Sequence, residues 1–166
     1  MALVGDGKCA PAWRELVQAL GLEDRVHFVG HVPHDVLALQ YRAAEVFVLP
    51  SDREGMSNSL LEALASGLAV VSTDTGGASE LIGSAGLIVP TGEVEPLAAA
   101  IESLVRDRSV VQRMQAEATR RARNLTWRSV ADRYRELYEQ AAQARQGSLD
   151  SDKRVAEVDH GKTRDG

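Results

Sequence analysis

Residues 51–67 read Ser-Asp-Arg-Glu-Gly-Met-Ser-Asn-Ser-Leu-Leu-Glu-Ala-Leu-Ala-Ser-Gly. A short polar loop there runs straight into a nearly all-apolar helix that carries one carboxylate. Glu54 stands before that helix and Glu62 inside it, with seven residues between them. The loop supplies Gly55, then Ser57, Asn58 and Ser59, all small, so free backbone amides at the helix start can face a ligand without side-chain obstruction. A helix N-terminus of this kind favours an anion such as a phosphate.

Outward from this stretch, short apolar runs alternate with helical patterns. That is the rhythm of βαβ units in a parallel sheet covered on both faces. The apolar runs predict strands at 2–5, 26–29, 46–49, 69–73 and 87–89, with helices near 10–20, 35–43, 58–66 and 77–83. Glu93-Val94-Glu95-Pro96 opens a further helix, with acids and a proline in its first turn. Leu97, Ile101, Leu104 and Val105 form its apolar face. A polar helix follows near 109–123. Thr126 then caps a helix on which Trp127, Val130, Tyr134, Leu137, Tyr138 and Ala141 recur at helical spacing, a stripe that reads as core packing. From 146 the composition collapses into Gln-Gly-Ser-Leu-Asp-Ser-Asp-Lys-Arg, too poor in apolar residues to offset the entropy of ordering. The expected organisation is therefore one domain over 1–145 and a disordered tail over 146–166.

Composition narrows the classes of function. The 166 residues leave room for one sizeable core, and 44% hydrophobic residues is ordinary for a globular domain. A formal charge of −5 and a pI of about 5.4 argue against a nucleic-acid protein, which would show a basic face. Cys9 is the only cysteine, so neither an intrachain disulfide nor a cysteine zinc cluster can form, and a reducing, cytoplasmic setting fits best. Asp6 and Lys8 interrupt any apolar run at the start, and no stretch reaches the ~20 apolar residues of a membrane helix.

Both glutamates also have ordinary readings. Ser59-x-x-Glu62 matches a capping box, in which the serine closes the helix start and the glutamate bonds back to the cap amide. Glu54 alone could be a solvated loop carboxylate. Substitution Glu62→Ala separates the possibilities: capping predicts a stability loss of ~1 kcal/mol, whereas a ligand role predicts lost affinity with an intact fold.

The Glu-x7-Glu spacing, with the whole stretch to Gly67, resembles the donor-binding motif of retaining glycosyltransferases of the GT-B fold, family four. The resemblance continues through Leu3-Val4-Gly5-Asp6-Gly7, Val26-His27-Phe28-Val29-Gly30, Val70-Val71-Ser72-Thr73-Asp74-Thr75-Gly76-Gly77, Glu80 and Gly86-Leu87-Ile88-Val89-Pro90. It covers roughly residues 2 to 142, in the family's order. It implies a Rossmann-like α/β lobe that holds a nucleotide sugar and transfers the sugar to an acceptor hydroxyl with retention. Glu54 would be the catalytic glutamate, facing the transferred sugar. Gly55, Met56, Ser57, Asn58, Ser59, Leu60 and Leu61 would form the donor loop, with amides of Asn58 to Leu61 on the diphosphate. Glu62 would accept the ribose hydroxyls. Gly30, His31 and Val32 would line the base edge, while His27 and His34 are not obvious ligands. The resemblance requires no metal and no cofactor besides the donor.

It also implies what is missing. A family lobe opens with one more strand and helix, whose loop carries the Arg and Lys that grip the diphosphate. It is preceded by an N-terminal acceptor lobe to which the family's final helix crosses back, so that some of the apolar stripe over 127–141 would lack its partner here. Lys8 and Arg14 stand in the wrong motif context to replace that pair. The expected partners are thus a nucleotide sugar and the absent acceptor lobe, the part that would approach a membrane surface, and this chain alone is expected to be inactive. The alternatives are a non-catalytic nucleotide-binding module that partners a separate acceptor lobe, a structural remnant that binds nothing, and a sugar-nucleotide epimerase of the same fold.

Overall fold

The computed structural model describes the backbone of residues 1–160 and the side chains of residues 1–145. Two compact units divide the chain, Met1–Ala122 and the residues from Arg123 onward. In the first unit the chain runs β1 (Ala2–Val4), α1 (Ala10–Ala19), β2 (His27–Gly30), α2 (His34–Ala43), β3 (Val46–Leu49), α3 (Asn58–Ala65), β4 (Ala69–Thr73), α4 (Ala78–Ile82), a 3₁₀ turn (Gly83–Ala85), β5 (Gly86–Val89), α5 (Val94–Arg106) and α6 (Arg108–Ala122). These are the expected elements, displaced by a residue or two. All pairings are parallel, so each strand is joined to the next by a crossover helix.

The strands pair in two groups rather than as one continuous sheet: β1 with β2, and β3 with β4 and β5. β4 is central to its group, and Ala69 to Thr73 are all buried, as befits a strand covered on both faces. Its neighbours sort by the period of two. Phe47, Leu49 and Val70 face Leu60 and Leu64 of α3, with Ala78 and Ile82 of α4. Val46, Val48, Ala69, Val71 and Leu87 face Leu97, Ala100, Ile101 and Leu104 of α5, with Val111 and Met114 of α6. α6 serves both faces, since its Ala118 lies in the first cluster. A third cluster joins α2 to α3 through Leu37, Tyr41, Ala63 and Leu68, with Phe47 beneath.

One glycine is required by close approach. Gly86 pairs with Val70 in register, and a Cβ there would lie 2.1 Å from the Val70 carbonyl oxygen, a backbone atom that cannot yield. The β1–α1–β2 segment is packed more thinly. It has no fully buried residue, and Trp13 and Leu16 of α1, with Leu20 just after it, remain exposed.

The second unit is built on α7 (Trp127–His160). Thr126 caps it as expected: the Ser129 amide donates to Thr126 Oγ1 at 3.1 Å, and the Thr126 amide donates to Ser129 Oγ at 3.1 Å. The apolar stripe on α7 is not core. Trp127, Val130, Tyr134, Leu137 and Tyr138 are exposed, because helical spacing makes an apolar face without supplying something to cover it. The helix also continues to His160, past the point where composition suggests a tail. Residues 146–160 contain no proline, the residue that a helix interior excludes outright, so nothing in the stretch breaks a helix already under way. The rest of that expected tail, 161–166, lies outside the described residues.

Candidate functional site

In an open parallel sheet, ligands bind beyond the carboxyl ends of the strands, where loops meet helix N-termini. The loops after β3 and β4 meet there. Thr73 Oγ1, at the end of β4, donates to the carbonyls of Leu49 at 3.2 Å and Ser51 at 2.5 Å. That ties the start of the 51–57 loop to the neighbouring strand. Ser51 Oγ in turn donates to Glu54 Oε1 at 2.8 Å. The half-buried Glu54 is therefore held by its own loop and is not a freely solvated carboxylate. Gly76 lies against the same loop, where a Cβ would meet the Glu54 carbonyl oxygen at 3.3 Å. Beside it, Thr75 Oγ1 is a buried hydroxyl without a partner among the described residues.

The start of α3 differs from the capping-box reading. Ser57, not Ser59, is the N-cap: its backbone is extended (φ −78°, ψ 114°) and its Oγ accepts from the Leu60 amide at 3.4 Å. Ser59 falls inside the first turn, its hydroxyl 2.8 Å from that of Ser57. Glu62 is thus five positions into the helix, too far along to reach back to the cap amide. Its carboxylate has no capping duty. The cap also sets how many amides a ligand can use. Leu60 N–H is taken by Ser57 Oγ and Leu61 N–H by the Ser57 carbonyl at 3.2 Å. Of the four amides from Asn58 to Leu61, those of Asn58 and Ser59 have no acceptor among the described residues. Met56 and Gly55 are exposed beside them.

α2 reaches this region through its first residue. His34 Nε2 lies 3.1 Å from Glu62 Oε1. A carboxylate only accepts, so Nε2 carries the proton and donates. Two helical turns on, Tyr41 is the buried residue of α2, and its hydroxyl donates to the Ser59 carbonyl at 3.3 Å. Burial, with the negative charge of the nearby Glu62 carboxylate, pushes the Tyr41 hydroxyl up to about 12. The seven-residue spacing of His34 and Tyr41 was the available signal, since it puts both on one helix face. At the end of β2, Gly30 has a left-handed backbone (φ +76°) and its carbonyl accepts from the Gly5 amide at 2.8 Å. His31 is exposed and Val32 half-buried, and no hydrogen bond joins either to Glu62 among the described residues.

The basic residues near β1 do not converge on this site. The Arg14 guanidinium stacks over the Phe28 ring at 4.4 Å, a contact within the β1–α1–β2 segment. Among the described residues there is no group of three His, Cys, Asp or Glu side chains arranged around a metal position, and no helix is long and apolar enough to cross a membrane. Chemically, the site offers two free amides at a helix N-terminus for an anion, and two carboxylates that accept hydrogen bonds from hydroxyl groups.

A parallel α/β lobe with a glutamate before and a glutamate within the helix after β3 has the architecture of the C-terminal lobe of GT-B proteins. The comparisons agree. The profile of the family "Glycosyl transferases group 1" matches residues 1–107, and the chain belongs to that family. It is 40% identical over 108 residues to the 2-deoxystreptamine N-acetyl-D-glucosaminyltransferase of Streptomyces fradiae, a match covering 64% of this chain and 26% of that protein. Among solved structures it superposes on the sucrose-phosphate synthase of Thermosynechococcus elongatus with a TM-score of 0.72 and 31% identity, covering 86% of this chain and 38% of that one. Anabaena Alr3699/HepE in complex with UDP gives 0.63 and 27%, over 86% and 40%. The chain therefore spans between about a quarter and two-fifths of the length of these proteins.

Proposed function

We propose that this chain is the donor-binding part of a retaining glycosyltransferase, holding a nucleoside diphosphate sugar at the start of α3. The observation that carries the reading is the position of Ser57. Because it caps α3 by itself, Glu62 is released from structural duty, and the Asn58 and Ser59 amides stay available for a diphosphate oxygen. Glu62 would accept the ribose hydroxyls, and Glu54, steadied by Ser51, would meet the hydroxyls of the transferred sugar. Gly30, His31 and Val32 would lie along the base.

In the reaction, the bond between the anomeric carbon and the diphosphate oxygen breaks as the acceptor oxygen bonds to the same carbon on the same face, and the acceptor's proton leaves with the diphosphate. Negative charge builds on the leaving oxygens, and prepositioned amides stabilise it without reorganising. Two amides are a modest complement for that charge, so the full reaction would need further cations, which in the resembled family follow another strand of the same lobe, and an acceptor site from a second lobe. On this reading the isolated chain binds nucleotide but turns over little or no sugar, and uses no metal. Relatives that are named glycosyltransferases and a neighbour crystallised with UDP support the donor class. A cytoplasmic setting, with any approach to a membrane made through the acceptor lobe, fits the donor class.

Ligand-observed NMR of the chain with UDP, GDP and ADP tests the reading. The expected result is saturation transfer to one nucleotide, lost in a folded Glu62→Ala variant; no transfer to any of the three from a folded chain contradicts it.

A further inference from the structure

His34 lies within hydrogen-bond distance of a proposed ligand-binding carboxylate from outside the glutamate loop, across 28 residues of sequence. Its exposure makes the contact unusual. The His34 side chain is 81% exposed and that of Glu62 32%, so the bond is not there to satisfy buried polar groups and adds little to stability. What it does is restrict a carboxylate at the mouth of the site. An unrestrained glutamate on a helix surface samples several rotamers, and fixing one before a ligand arrives lowers the ordering cost of binding. Tyr41 adds a second tie between the two helices. Its ring packs on Ala63 and Leu68, while its hydroxyl engages the Ser59 carbonyl, so the first turns of α3 are fixed against α2.

We propose that His34 is a positioning residue of the nucleotide site: its Nε2–H holds Glu62 Oε1 and presents the remaining lone pairs of the carboxylate to the ribose hydroxyls of a bound nucleoside diphosphate. This rests on the donor-binding reading of Glu62 given above. A carboxylate has about four acceptor positions, so one donated bond from imidazole leaves enough for a vicinal diol. α2 thereby becomes part of the specificity apparatus: it selects ribose through a residue that does not itself need to touch the ligand.

The test compares affinity for UDP, GDP and ADP with affinity for their 2′,3′-dideoxy counterparts, by calorimetry, in the unsubstituted chain and in Glu62→Ala, His34→Ala and His34→Gln. The ratio of the two affinities reports grip on the hydroxyls and is insensitive to general loosening. Glu62→Ala is expected to bring the ratio close to one. His34→Ala is expected to lower it by about three- to tenfold, the range of one hydrogen bond. His34→Gln, whose amide can donate from nearly the place of Nε2, should restore it to within about twofold. If Glu62→Ala collapses the ratio and His34→Ala leaves it unchanged, the role of His34 is overturned while the nucleotide reading stands. If Glu62→Ala leaves the ratio unchanged, or the folded chain binds none of the three nucleotides, both are overturned. Circular dichroism of His34→Ala should match the unsubstituted chain, since the side chain is exposed.

Discussion

At the scale of single residues, the site is organised by which polar atoms are already spoken for. Ser57 takes the cap, Ser51 takes Glu54, His34 takes one oxygen of Glu62, and the Asn58 and Ser59 amides are left. Tyr41 shows the same logic with a titratable group. Its hydroxyl is pushed up to about 12 by burial and by Glu62, against about 10 for a free tyrosine. A proton held more tightly in the folded chain stabilises it fully below the unfolded value, and that contribution is lost as pH climbs from about 10 towards 12. Tyr41→Phe should therefore flatten the fall in melting temperature across this alkaline window, measured by thermal denaturation at stepped pH; curves that stay parallel to those of the unsubstituted chain would assign the alkaline loss elsewhere. The glutamate pair was legible from sequence because both members sit in one continuous motif. The histidine contact was not, since nothing local announces a partner on a different helix.

At the scale of elements, β3, α3 and β4 form the unit that places the site. Val46 to Leu49 and Ala69 to Thr73 are apolar or small enough to be covered on both faces, and α3 lays Leu60, Ala63 and Leu64 against them. The extent of each was readable within a residue or two, because uninterrupted apolar runs bounded by Pro, Gly and Ser leave few other registers. The start of α3 at 58 was readable as well, but its cap was not, because Ser57, Asn58 and Ser59 are all acceptable caps and only tertiary placement chooses Ser57. That choice is testable. Ser57→Ala should destabilise the chain by about 1 kcal/mol, whereas Glu62→Ala, at a half-buried position whose carboxylate has no capping duty, should change stability by less than about 0.5 kcal/mol. Urea unfolding followed by circular dichroism measures both; the reverse ranking would return Glu62 to the capping role.

At the scale of the whole chain, the α/β class and order of elements followed from periodicity, while the division of the strands into two groups did not. β3 is the clearest case. Its sequence, Val-Phe-Val-Leu, is that of an interior strand, yet one of its edges has no strand partner among the described residues. It carries no proline, lysine or bulge of the kind that protects an edge. A period-two pattern specifies which face is apolar but not which neighbour completes the ladder, so the break in pairing could not be read in advance. The extent of α7 was misjudged for a related reason: low hydrophobicity argues against a packed core, not against a helix.

The central claim is that a nucleoside diphosphate is held at the start of α3. Amide-resolved NMR of the chain titrated with UDP, GDP and ADP tests it most directly. The account predicts that the bound nucleotide shifts the Asn58 and Ser59 amides most strongly, with smaller shifts from Gly30 to Val32. Saturable shifts confined to other elements, with Asn58 and Ser59 unmoved, would contradict it.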